Sequence, residues 1–93
     1  MNKEQLVDKI AAKAAMTKKQ ANEALDATLG LIAGELARGG RVVLVGFGTF
    51  AVRRARARTG RNPQTGEAVP IPARRRVVFR PGKLLKDGIS RKG

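Results

Sequence analysis

The chain has 93 residues with no cysteine and no histidine, and 20 lysines and arginines against 7 acidic residues give a formal net charge of +13. This composition excludes disulfides and thiol metal ligands and lacks the commonest general base and the thiolate nucleophile, so we expect neither enzyme activity nor a cofactor. The charge is uneven, because residues 1–52 carry +2 and residues 53–93 carry +11, and this asymmetry predicts a nucleic acid or an anionic membrane as the partner.

The N-terminal part of the chain predicts a hairpin of two amphipathic helices over about residues 3–38. Asn2 with Gln5, and Thr17 with Gln20, have the spacing of capping boxes, and each pair precedes an apolar stripe of helical period. Two glycines at positions 39 and 40 end the second helix. We expect the apolar side chains of both stripes to form the core.

The next part, about residues 41–79, predicts an antiparallel sheet of three strands. Residues 41–45 are β-branched, residues 46–48 form a glycine turn, and a second strand begins at residue 49. The return strand covers about residues 69–79. The turn matches G-x-G-x-x-A, but a dinucleotide site needs a helix after these glycines, and a strand is predicted there instead.

Residues 53–76 predict a projecting β-ribbon arm, since they hold no apolar surface large enough for a core. Arginine and alanine alternate on the outgoing strand, and Pro63 lies at the centre of a tight polar turn. Pro70 and Pro72 have no backbone N–H, which predicts an exposed edge or a kink on the return strand. A last short helix is predicted over about residues 83–90, after Pro81.

The size of the remaining core predicts a dimer. Without the arm, roughly 70 residues remain, and a domain of that size is marginally stable alone. Because the chain has no cysteine for disulfides, oligomerisation is the common remedy, and we expect an obligate dimer. The first fifteen residues do not resemble a signal peptide, and no run of apolar residues could span a membrane, so we expect a cytoplasmic protein.

Three segments of the chain resemble the HU family of bacterial histone-like proteins, which is related to integration host factor. They are VGFGTF at residues 45–50, TGRNPQTG at residues 59–66 and FRPGK at residues 79–83. The resemblance covers essentially the whole chain as a single domain of residues 1–93. It implies an α+β fold and an intertwined dimer. In each chain a helical hairpin comes first, then a three-stranded antiparallel sheet extended into a β-ribbon DNA-binding arm, and then a short C-terminal helix.

The resemblance also implies a nucleoid-associated architectural protein. Such a protein binds and bends duplex DNA through the minor groove with little sequence specificity, and it prefers distorted DNA. Pro63 is then the intercalating residue. The residues that the resemblance assigns to DNA contact are Lys3, Arg53, Arg58, Arg61, Asn62, Pro63, Gln64, Arg75, Arg80, Lys83 and Lys86.

Alternatives remain open at this stage. Ala55 stands where many relatives have arginine, so it is open whether Arg54, Arg56, Arg74 and Arg76 contact DNA. Other functions are a sequence-specific DNA bender like the host factor and an RNA-binding structural protein, for instance of the ribosome. An interfacial membrane peptide is disfavoured, because the basic density lies in extended segments rather than on an amphipathic helix. We expect no small-molecule substrate, and either a homodimer or a heterodimer with a paralogue.

Overall fold

The computed structural model describes residues 1–90, over which the chain forms three helices and five strands. Helices and antiparallel strands confirm the predicted α+β class. The chain divides into two compact units, Met1–Glu35 and a second unit that begins at Leu36. The elements in order are α1 (Lys3–Lys13), α2 (Lys18–Ala37), β1 (Val42–Leu44), β2 (Gly48–Ala55), β3 (Arg58–Arg61), β4 (Ala68–Ile71), β5 (Arg74–Pro81) and α3 (Lys83–Ser90).

Both helices of the first unit begin at a capping box, as their sequences predict. The Asn2 side chain accepts a hydrogen bond from the Gln5 backbone N–H at 2.8 Å, and the Gln5 side chain accepts one from the Asn2 N–H at 3.0 Å. Thr17 and Gln20 make the same two bonds at 3.0 Å each. Between the helices Ala15 has a φ of 53°, and this left-handed residue ends α1 by turning the chain.

The buried core is small. In the first unit it consists of Val7, Ala11 and Ala21, with Ile10 and Leu25 packed against them. Many large apolar side chains stay exposed in the single chain. They include Leu29 and Leu31 in α2, Val43 and Val77 in the sheet, Val45 and Phe47 in the turn between β1 and β2, and Leu84 and Ile89 in α3.

The second unit contains a three-stranded antiparallel sheet in the order β1-β2-β5, with β2 in the centre. The apolar side of the sheet forms around Phe79, whose ring centroid lies 4.8 Å from that of Phe50 and 5.4 Å from that of Phe47. A Cβ atom on Gly48 would lie 2.6 Å from ring atoms of Phe79, so β2 requires glycine at its first position. A strand follows these glycines, as predicted, and not the helix of a dinucleotide site.

The arm continues from this sheet as a separate two-stranded ladder of β3 and β4. Ala55 lies opposite Arg74 in the first ladder, and Arg58 lies opposite Ile71 in the second. The step is three residues on each strand, so the two ladders share one register across a short gap. The predicted single return strand is therefore two strands. Pro72 falls in the gap, where its missing N–H cannot contribute a ladder bond.

Candidate nucleic-acid interface

The register assigns the side chains of β2 and β5 to two faces. Successive residues of a strand alternate between faces, and residues directly opposite each other share one. The aromatic face carries the phenylalanines of the apolar cluster, and the open face carries most of the arginines. The aromatic face consists of Phe50, Val52, Arg54, Arg75, Val77 and Phe79; the open face consists of Thr49, Ala51, Arg53, Ala55, Arg74, Arg76, Val78 and Arg80.

The open face is a row of positive charge. Arg53 lies opposite Arg76, while Arg74 and Arg80 lie on β5 toward either end, and all four side chains are exposed. The row from Arg74 to Arg80 covers seven residues, and the six steps between them correspond to about 20 Å of strand. The sequence has no acidic residue at positions 36–66 or 68–86, so neither β2 nor β5 carries a carboxylate that could neutralise this charge. Such a row matches a polyanion that runs along the strand.

Arg75 lies on the other face and is held by the end of α2. Its Nη2 atom donates to the carbonyl oxygens of Ala37 at 3.2 Å and Leu36 at 3.4 Å. The last carbonyls of a helix have no partner within the helix and favour a cation. The helix ends there because Gly39 adopts a left-handed φ of 82°. The structure therefore does not bring Arg75 together with Arg53, although the sequence reading grouped them as arm residues.

The tip of the arm is a turn wider than the one predicted. The Gly66 N–H donates to the Asn62 carbonyl at 2.7 Å, and the Asn62 N–H donates to the Glu67 carbonyl at 2.9 Å. The Asn62 side chain accepts from the Gln64 N–H at 2.9 Å, which fixes the chain on both sides of Pro63. Pro63 is exposed at the second position of this turn. The hydrogen bonds around it hold its ring out at the end of the ribbon.

Three further arginines lie between the sheet and the tip, namely Arg56, Arg58 and Arg61. Arg61 donates from Nη1 to the Gly66 carbonyl at 3.1 Å, so its side chain is tied to the turn. Arg58 borders a shallow depression that Arg74 and Arg76 also line. The structure thus brings Arg58 near the open-face arginines and Arg61 near Pro63.

A second cationic cluster lies where β5 leads into α3. Lys83 and Lys86 are exposed in the first turn of α3, which has no acidic residue, and Arg80 precedes them on β5. The backbone N–H groups at a helix N-terminus also carry partial positive charge, so these lysines are repelled unless an anion is present. This cluster is suited to a phosphate group.

Lys3 belongs to the first compact unit, and its ammonium group is paired with the Asp26 carboxylate at 2.6 Å. Both side chains are about half exposed, and ion pairs of this kind contribute only about 0–1 kcal/mol to stability. A phosphate can therefore compete with Asp26 for Lys3.

Sequence reasoning left Arg74 and Arg76 undecided, and the structure groups them with Arg53. The signal that identifies them is the register, because residues opposite Arg53 and Ala55 must share their face. The chain has no histidine or cysteine, and no group of acidic side chains among residues 1–90 could hold a metal ion. No helix in this part of the chain is long and apolar enough to cross a membrane.

Comparison with known proteins identifies the family. The family model described as "Bacterial DNA-binding protein" matches residues 1–90. HU-alpha of Vibrio cholerae is 56% identical over 89 residues, which are 96% of this chain and 99% of that protein. HU-beta of Escherichia coli K12 is 53% identical over 90 residues, which are 97% of this chain and the whole of that protein.

Solved structures give the same result. HU from Anabaena, in a cocrystal with DNA, is 48% identical and has a TM-score of 0.87, with 97% of this chain and 98% of that chain covered. HU from Thermotoga maritima is 32% identical with a TM-score of 0.68, with 96% and 98% covered. The family consists of DNA-binding proteins and not of enzymes, as the composition predicts. The chain belongs to this family of bacterial DNA-binding proteins, of which HU is a member.

Proposed function

We propose that the chain acts as a dimer that binds duplex DNA through the minor groove and bends it with little sequence specificity. One observation carries this proposal: a row of exposed arginines on the open face leads along a ribbon to a turn that presents Pro63. Its place in the cell is then the nucleoid, in the cytoplasm. The Anabaena relative, crystallised with DNA, supports the same partner.

The cationic side chains supply affinity without reading sequence. Arginine and lysine neutralise phosphates and release counterions, so affinity falls with salt by about 0.9 log units per contact for each log unit of salt. Contacts to the backbone position a protein on DNA but do not distinguish bases. The arm has no aromatic residue that could stack on an exposed base, which disfavours recognition of single strands.

The tip supplies the bend. From Arg53 to Pro63 the ribbon covers about ten residues, or about 33 Å, which is enough to follow a groove partway around a duplex. A rigid apolar ring that enters between base pairs unstacks them at a cost of a few kcal/mol per step. DNA that is already nicked or kinked avoids part of that cost, so we expect it to bind more tightly.

The dimer follows from the apolar surface that one chain leaves uncovered. Leu31 is 76% exposed in α2, and Leu84 and Ile89 are 70% and 65% exposed in α3. Burying side chains of this size contributes about 1.5–3 kcal/mol each. A second copy of the chain, or a paralogue with the same surface, is the partner that we propose.

The test is a binding titration of the chain with an intact duplex and with the same duplex carrying a central nick, at several salt concentrations. We expect tighter binding to the nicked duplex and a steep fall of affinity with salt for both duplexes. Equal affinity for the two duplexes would contradict the proposed insertion of Pro63 between base pairs. A duplex RNA of the same length tests the RNA-binding alternative, and duplexes of random sequence against one selected sequence test the sequence-specific alternative.

A further inference from the structure

Arg75 differs from its neighbours Arg74 and Arg76 in what its side chain contacts. The Arg75 guanidinium donates to two backbone carbonyls at the end of α2, at 3.2 and 3.4 Å. The structure describes no such bond for Arg74 or Arg76, which point to the open face. Unlike its two neighbours on β5, Arg75 thus has its guanidinium already bonded within the protein.

This contact joins two distant parts of the second unit at the place where the arm begins. Arg75 lies opposite Arg54 and next to the last pair of the β2–β5 ladder, Ala55 with Arg74. Beyond that pair the ladder is interrupted until Arg58 pairs with Ile71, so the strands are not paired at the base of the arm. The bond from Arg75 to the end of α2 holds the ribbon just before this gap.

The end of α2 is built to receive this side chain. Gly39 ends the helix with a left-handed φ, and a Cβ built on Gly39 would lie 3.6 Å from Nη2 of Arg75. The Gly39 N–H bonds to the Leu36 carbonyl, and the guanidinium approaches the same oxygen from outside the helix. A planar guanidinium has several donors in a fixed arrangement, so it can hold two neighbouring carbonyls at once, which a single ammonium group does less well.

We infer that Arg75 is a positioning residue: by its bond to the end of α2 it fixes the direction in which the arm leaves the sheet, and it does not itself neutralise a DNA phosphate. This inference rests on the proposed function, since the direction of the arms determines where the two tips of a dimer meet the duplex. Loss of Arg75 then leaves the phosphate contacts of the open face in place and lets the arm sample more directions. The consequence is a change in the bend and not in the salt dependence.

The direct test needs no DNA. Because the chain has no cysteine, Gln64→Cys places one spin label on each arm tip, and a dimer gives one tip-to-tip distance distribution. In that background Arg75→Ala is compared with Arg54→Ala, which removes the same charge from the opposite strand on the same face. We expect a broader distance distribution for Arg75→Ala and an unchanged one for Arg54→Ala. Arg75→Lys, which keeps the charge with one donor group, is expected to be intermediate.

A second measurement separates this inference from the proposed function. Bending is followed by energy transfer between the ends of a nicked duplex, and the salt dependence of affinity is measured on the same duplex. Arg75→Ala is expected to shift or broaden the bend with the salt slope of the parent. An unchanged distance distribution, or a lower salt slope with unchanged bending, would overturn the positioning role. Failure of the parent protein to bend the duplex would count against the proposed function, while the distance measurement would still decide the role of Arg75.

Discussion

Arg53 and Arg54 are neighbours in sequence, carry the same charge and are both exposed, yet the register places them on opposite faces of the ribbon. Replacing each with alanine in turn lowers the net charge of the chain by one, from +13 to +12. If DNA lies on the open face, Arg53→Ala removes a phosphate contact and Arg54→Ala does not. Because both variants have the same net charge, comparing them tests which face of the ribbon binds DNA.

The expected size of the effect follows from counterion release. Each lost contact lowers the slope of log affinity against log salt by about 0.9, and a dimer loses two contacts, so Arg53→Ala lowers the slope by about 1.8. Between 50 and 200 mM salt, a fourfold range, this difference changes the loss of affinity by about 12-fold. Arg54→Ala is expected to keep the parent slope, apart from a small long-range effect that salt screens.

The assay is fluorescence anisotropy of a labelled duplex over a series of salt concentrations, with all proteins at matched purity. Thermal unfolding at one fixed protein concentration controls for folding, because the stability of a dimer depends on concentration. Equal slopes for the two variants, or a larger loss for Arg54→Ala, would refute the assignment of DNA to the open face.

Three other predictions concern the tip, the strand glycines and the helix caps. Pro63→Ala is expected to reduce bending and the preference for nicked DNA while the salt slope stays unchanged. An unchanged bend, measured by energy transfer, would rule out the insertion of Pro63 between base pairs. Gly48→Ala places a Cβ 2.6 Å from both the Phe79 ring and a backbone carbonyl and is expected to cost about 1–3 kcal/mol in chemical denaturation. Gly60→Ala meets the Ile71 side chain, with Cδ1 at 2.6 Å and Cγ1 at 3.3 Å, which can move more easily than a ring and a backbone carbonyl; it is expected to cost less than Gly48→Ala, so equal losses would contradict the packing argument. Asn2→Ala removes the α1 cap and is expected to cost about 1 kcal/mol, or roughly 4–8 °C in Tm, and an unchanged Tm would show that the cap contributes nothing.

Local signals predicted the helices well. The capping boxes predicted at Asn2 and Thr17 are both formed in the structure, because a cap depends on residues only three positions apart. The C-terminal helix likewise begins after Pro81-Gly82, with the Lys86 N–H bonded to the Gly82 carbonyl. The sequence also predicted that Pro63 lies in the turn of the arm, because the fixed φ of proline suits that position.

The faces of the ribbon could not be predicted in the same way. Alternation shows that Arg53 and Arg54 point to opposite sides, but only the pairing with β5 shows that Arg53 shares its side with Arg76. Register depends on contacts between residues far apart in the chain. For the same reason the sequence gives no sign that Arg75 bonds to carbonyls 38 and 39 residues before it.

The position of the arm tip on DNA tests the central claim most directly. An iron chelate attached to Gln64→Cys produces radicals that cut nearby DNA. The duplex carries a nick, which fixes the position of the protein along it. The same chelate on Lys9→Cys in α1 is the control. We predict two short clusters of cuts, one for each arm, offset toward the 3′ side on opposite strands as expected for a reagent in the minor groove. Cuts with the opposite offset, or a pattern no different from that of the α1 control, would contradict it.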